Sequence, residues 1–197
     1  DVQKWLELAT GHKAPSTVDS AAIAGVIDLL RAQGCFGLAA RYAVCFGLKT
    51  SEIADDVPFP SYAVFEQIGS YFSNALDETL AQGKVSVRDM ACRSATRDLL
   101  VDRVVAALEA NPHALSGLGK RFIDEEMGAS AREFVRVTWN AFFDNDSLFV
   151  MKTFLSRAKG SFGLMITNSL DAARQVCVAA RGQTMSIAFY PKKGLIC

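Results

Sequence analysis

The sequence predicts an all-α fold: a single compact helical bundle or orthogonal helical array of about seven to eight helices, ending in an extended C-terminal arm. Three observations predict it. Apolar residues recur at helical spacing along almost the whole chain, sustained period-two alternation is nearly absent, and the five prolines and fourteen glycines are scattered as punctuation. Half of the 197 residues are apolar, enough for one substantial core, and no Ser/Gly/Pro tract or internal repeat marks a linker. The expected organisation is a helical core over 1–182, with room for two sub-lobes meeting near 111–120, and an arm over 183–197.

Taken in order, Val2 to Ala9 forms a short amphipathic helix ended by "TGHKAPST". Thr17 or Asp19 then caps a helix carrying Ile23, Ile27 and Leu30 as far as Gly34. "CFGLAARYAVCFG" holds one charge, which predicts a buried central helix. After the prolines of "DDVPFPS", Ser61 is placed to cap a long helix with Phe65, Ile68, Phe72, Ala75 and Leu80 on one side, stopping at Gly83. Further helices are expected over 87–110, closed by "NPHALSGLG", and over 130–143, 147–158 and 161–181. In "TMSIAFYP" the residues Met185, Ile187, Phe189 and Tyr190 belong to a short alternating stretch, read as a strand or an arm reaching a neighbouring copy.

Composition excludes several chemistries. His12 and His113 are the two histidines, so multi-histidine zinc sites and Glu-x-x-His di-metal bundles cannot be built, and neither metal nor cofactor is expected. Cys35, Cys45, Cys92, Cys177 and Cys197 form an odd set without a Cys-x-x-Cys spacing, which fits reduced thiols and a cytoplasmic or other intracellular reducing compartment. The opening "DVQKWLELAT" lacks the basic-then-apolar order of a secretory signal. The longest uncharged run, beginning at Gly160, spans about ten residues, whereas a membrane helix needs about twenty. "DNDSLF" has Phe149 where a calcium loop needs glycine, "SGLGKR" lacks the first glycine of a phosphate loop, and no Gly-x-Ser-x-Gly elbow occurs. Asp124, Glu125 and Glu126 are sequence neighbours that do not face one another on a helix. An acidic "TSEIADD" argues against a helix-turn-helix reading of residues 20–80. No nucleophile, base or metal cage emerges, so the balance is against an enzyme.

What remains is a charge layout. The chain holds 21 Lys/Arg and 21 Asp/Glu, yet residues 147–197 carry Lys152, Arg157, Lys159, Arg174, Arg181, Lys192 and Lys193 against Asp171 alone. Lys152 and Lys159 are seven residues apart, as are Arg174 and Arg181, so two helices would present two basic rows. If those helices are antiparallel and joined near Gly160, the rows flank one groove, with Phe162 in "KGSFG" as a stacking surface or, more simply, a core residue. Arg93 and Arg97, interleaved with Asp89, Asp98 and Asp102, are further candidates, although internally paired surface charge explains them as well. The expectation is a self-assembling helical protein that binds single-stranded nucleic acid or another polyanion without sequence preference, as nucleoproteins and coat proteins do. The alternative is a non-catalytic adaptor or effector whose basic end meets an acidic protein.

Overall fold

A computed structural model describes residues 2–10, 13, 18–47, 59–83, 85–92, 94–111, 113–118, 127–171, 175–190 and 194–196. The fold is mostly α-helical, as the periodicity predicts, and its contacts divide the chain into two units, Asp1–Asp146 and Ser147–Cys197. That division lies neither at 111–120 nor at 182, where the sequence placed its boundaries.

The first unit is built from helices α1 (Val2–Thr10), α2 (Asp19–Leu30), α3 (Phe36–Tyr42), α4 (Tyr62–Ala81), α5 (Val87–Cys92), α6 (Ser94–Glu109) and α7 (Met127–Asp144). On α4 the expected stripe is the buried one: Phe65, Ile68, Phe72 and Ala75 turn inward at helical spacing. They meet Leu100, Val101 and Val104 of α6, Met90 of α5, and Val135 and Trp139 of α7, all at most 5% exposed. Trp139 sits among rings, with Phe72 at 5.2 Å and Phe36 at 5.4 Å, and Phe36 stacks on Phe142 at 3.9 Å. Each such side chain contributes about 1.5–3 kcal/mol through burial, so this aromatic knot is the stability centre of the unit.

Several predicted helix ends move. Thr17 lies outside the described residues, Asp19 is the first residue of α2, and Val18 occupies its cap position without a side-chain bond. Ser61 does stand at the N-cap of α4 in extended conformation, but its hydroxyl makes no cap bond. The helix expected over 35–47 ends at Tyr42 and continues as a π-helical turn over Ala43–Gly47. The helix expected over 87–110 is two, α5 and α6.

The connector between α2 and α3 is fastened through Asn145. Its Nδ2 donates to the Leu30 carbonyl at 3.1 Å, and its own carbonyl accepts from the amides of Ala32 and Gln33 at 3.1 and 3.0 Å and from Arg31 at 3.2 Å. Asn145 is 3% exposed, so the Asn-Asp-Ser sequon that begins there is a structural clasp.

The second unit contains helix α8 (Ser147–Arg157) and four short strands, β1 (Phe162–Ile166), β2 (Cys177–Arg181), β3 (Ala188–Tyr190) and β4 (Gly194–Ile196). Here the sequence reading fails. Within the segment 161–181, expected as a helix, β1 and β2 pair antiparallel, Phe162 with Arg181, Leu164 with Ala179 and Ile166 with Cys177. The stretch read as a short strand or an arm does hold a strand, β3, which pairs antiparallel with β4, Phe189 opposite Leu195 and Tyr190 opposite Gly194. Ile187 is exposed, whereas Met185 is half-buried, its Cε 3.0 Å from where a Cβ on Gly163 would lie. Residues 183–190 are therefore not a free extended arm. Among the described residues no helix is long and apolar enough to cross a membrane, no group of three or more His, Cys, Asp or Glu could hold a metal, and Cys35, Cys45 and Cys177 are free thiols.

Candidate polyanion-binding site

The seven cations counted from the sequence fall in the second unit, and its bounds are those of the charged segment. Helix α8 arranges those among the described residues, Lys152, Arg157, Lys159 and Arg181. At its start Ser147 Oγ donates to Asp171 Oδ2 at 2.6 Å, which holds the unit's one carboxylic side chain beside a helix N-terminus, where negative charge is favoured. At its end the chain passes Arg157, Ala158 and Lys159 and reverses at Gly160, whose φ of 97° suits glycine.

Arg181 closes the same end. Phe162 and Arg181 are cross-strand partners, so their side chains share a face, and the guanidinium lies 5.8 Å from the Phe162 ring centroid, within cation–π range. Its Nη2 donates to the Leu155 carbonyl at 3.0 Å and its Nη1 to the Ala158 carbonyl. These carbonyls belong to the negative end of α8, which an arginine satisfies in both charge and geometry. Gly182 follows directly with φ 66°, and a Cβ there would sit 2.8 Å from Ser161 Oγ.

Arg157, Lys159 and Arg181 thus gather at one end of α8, all exposed, with Lys152 on an exposed position about a turn and a half earlier in the helix. Among the described residues none of these four has a carboxylate partner. Asp171 lies at the far end of an eleven-residue helix. That is about 15 Å from Arg157, beyond a Debye length of about 8 Å at physiological salt, so it cancels little of the field at the basic end, while Lys152 stands about half as far from it.

The two basic rows of the sequence reading are not formed. Helix α8 stops at Arg157, before Lys159, and Arg181 stands on a strand; Arg174 and Arg93 lie outside the described residues. Phe162 is no open stacking surface, because Arg181 covers it and Phe154 packs edge-on at 6.1 Å. Arg97 is committed to the first unit's fold: Nη1 and Nη2 clasp Asp144 at 2.6 and 2.8 Å, Nη1 also reaches Asn140 Oδ1 at 3.0 Å, and the guanidinium lies 5.0 Å from the Phe143 centroid. Such a bidentate pair leaves little for a phosphate.

No family model, curated protein or solved structure matches this chain. Sequence reasoning missed Ser147, whose hydroxyl removes Asp171 from the basic end, and missed that Arg181 is a helix cap. The polar break "DNDS" before α8 was the available signal for the first.

Proposed function

We propose that the basic C-terminal unit binds single-stranded nucleic acid or a similar polyanion without sequence preference, and that the protein self-associates, in the manner of a nucleoprotein or coat protein. One observation carries this reading: Arg157, Lys159 and Arg181 meet at the end of α8, with Lys152 nearby in the helix, in a unit of seven cations and one acid. Exposed cations that have no carboxylate partner among the described residues are what phosphates displace counterions from. Self-association follows from the other half of the charge count. Residues 1–146 hold 14 Lys/Arg and 20 Asp/Glu, a net of minus six, against plus six in residues 147–197. Such a molecule attracts its own copies head to tail, and a heterologous contact that does not close makes a filament.

Replacing Lys152, Arg157 and Lys159 together by Glu tests the nucleic-acid reading, because all three are exposed; a circular-dichroism spectrum checks that the variant is folded. The expected result is a loss of about a hundredfold in affinity for a single-stranded RNA at 0.1 M salt, and a salt-dependence slope shallower by about two. Unchanged affinity and slope overturn the site. Self-association is read from molecular mass in solution, which should fall as salt rises.

A second reading has its own observation. Met165, Leu170, Val176 and Ile187 of the second unit are 60, 50, 42 and 47% exposed, an apolar component that phosphates do not use and a protein partner would. A protein that purifies without nucleic acid and gains no affinity for RNA at low salt favours this adaptor reading.

A further inference from the structure

The turn that joins α8 to β1 carries a hydroxyl in the midst of the basic end. Arg157 is the last residue of α8, and residues 158–161 belong to no helix or strand before β1 begins at Phe162. Ser161 is exposed there, and among the described residues its hydroxyl has no hydrogen-bond partner. Across the turn stands Gly182, where an added Cβ would lie 2.8 Å from Ser161 Oγ and 3.2 Å from Ser161 Cβ. Glycine at 182 therefore leaves open a hydroxyl that any side chain there would crowd.

The surroundings suit a phosphate on that oxygen. Lys159 is two residues back, so the two Cα atoms are at most about 7.6 Å apart. Arg157 lies two residues before Lys159, and Arg181 stands opposite Phe162, the residue after Ser161. Two neighbouring hydroxyls are placed less well. Ser156 donates to the Thr153 carbonyl at 2.8 Å within α8. Thr184 follows an arginine by three residues, but that arginine, Arg181, is held on the Leu155 and Ala158 carbonyls. Arg157 and Lys159, by contrast, have no carboxylate partner among the described residues.

We propose that Ser161 is a phosphorylation site for a serine kinase that reads basic residues on its N-terminal side, and that the phosphate switches off the basic end of α8. The switching half rests on the polyanion reading above, whereas the acceptor half stands without it. In "RAKGSF", Arg157 and Lys159 supply the positive charge by which such kinases select substrates. Ser161 Oγ attacks the γ-phosphorus of ATP, the bond from that phosphorus to the bridging oxygen breaks, ADP leaves, and the hydroxyl proton passes to the kinase's catalytic carboxylate. The product adds a charge of about −1.5 to −2 beside the exposed cations Lys152, Arg157, Lys159 and Arg181. Arg157 and Lys159 then pair with phosphate oxygens of their own chain, and a nucleic acid must displace that phosphate before it can bind them.

The test incubates the full chain with ATP and protein kinase C, and maps the modified residue by mass spectrometry. Affinity for a short single-stranded uridine oligomer at 0.1 M salt is then measured for the unmodified, phosphorylated and phosphatase-treated protein. One phosphate is expected, on Ser161, with a loss of affinity of at least about tenfold and a salt slope shallower by about one to two, both restored by the phosphatase. Ser161→Ala should take up no phosphate and bind the oligomer as the unmodified protein does, with an unchanged circular-dichroism spectrum. A second readout involves no RNA. Neighbouring cations favour the dianion, so the second ionisation of the phosphoserine, followed by phosphorus NMR, should fall below its ordinary value of about 6 and return towards it in the protein unfolded by urea. No incorporation, or phosphate on Thr184 or another residue in place of Ser161, overturns the site. Phosphorylated Ser161 with unchanged oligomer affinity overturns the switch, and an ionisation that is the same folded and unfolded overturns capture of the phosphate by the cations. Unmodified protein that does not bind the oligomer overturns the proposed function and the switch with it, while the mapped residue and the phosphorus titration still decide the acceptor site and its capture.

Discussion

The two units use charge in opposite ways. In residues 1–146 arginines are tied down: Arg41 to Asp28, Arg97 to Asp144, Arg103 to Glu78, Arg132 to Asp102 and Arg136 to Glu133. In residues 147–197 the described cations meet carbonyls, an aromatic ring or solvent, and the one acid is held by Ser147. Their cores differ as well. The first is organised round Trp139 and four phenylalanines, whereas the second buries Ser147, Val150, Met151 and Cys177 among its described residues. A neutral chain thus conceals one part whose arginines pair with its own carboxylates and another whose described cations have no carboxylate partner among the described residues.

The largest expected effect breaks the first unit. Trp139→Ala removes the ring that Phe36, Phe72, Phe142 and Phe143 surround, and should cost about 3–5 kcal/mol in denaturant unfolding. A cost below about 1 kcal/mol would mean that this cluster is not the stability centre. Asn145→Ala comes next. It leaves the Leu30 carbonyl without its donor in a site 3% exposed, an expected loss of about 1–3 kcal/mol, measured in the same way. Neither substitution touches the basic end of α8, so RNA affinity per folded molecule should stay constant. If it falls, the division of labour between the units is wrong.

Much of the first unit is legible in its sequence because long amphipathic helices announce themselves. Phe65, Ile68, Phe72 and Ala75 repeat at helical spacing for several turns, and burial follows. The second unit hides its structure in short elements. "FGLMI" and "CVAAR" are five residues each, and a run that short reads as helix or strand with equal ease. Gly163 in the interior, the Thr167-Asn168-Ser169 break and the paired Val176 and Val178 were the discriminating residues, since glycine weakens a helix and β-branched side chains favour a strand. The basic cluster was legible as a count but not as a place. Arg181 lies 24 residues beyond Arg157, and strand pairing rather than helical periodicity brings it to the end of α8. Trp139 lies within the helix expected over 130–143, but the sequence reading did not single it out, because its place at the centre of the aromatic cluster depends on which rings the fold brings round it.

The smallest expected effect sharpens the second unit. Gly182 has a φ of 66°, and an added Cβ would meet Ser161 Oγ at 2.8 Å, so Gly182→Ala strains the turn that follows β2. The expected destabilisation is about 1–2 kcal/mol, less than either core substitution, because the chain can relax by opening the hairpin end. Opening it draws Arg181 away from the Leu155 and Ala158 carbonyls and from Phe162, which would leave the end of α8 uncapped and the local cations further apart. The informative outcome is therefore a fall in RNA affinity larger than the loss of folded fraction explains, with the salt slope shallower by up to about one. Should affinity follow folded fraction alone, Arg181 is a helix cap and nothing more, and the binding charge belongs to Lys152, Arg157 and Lys159.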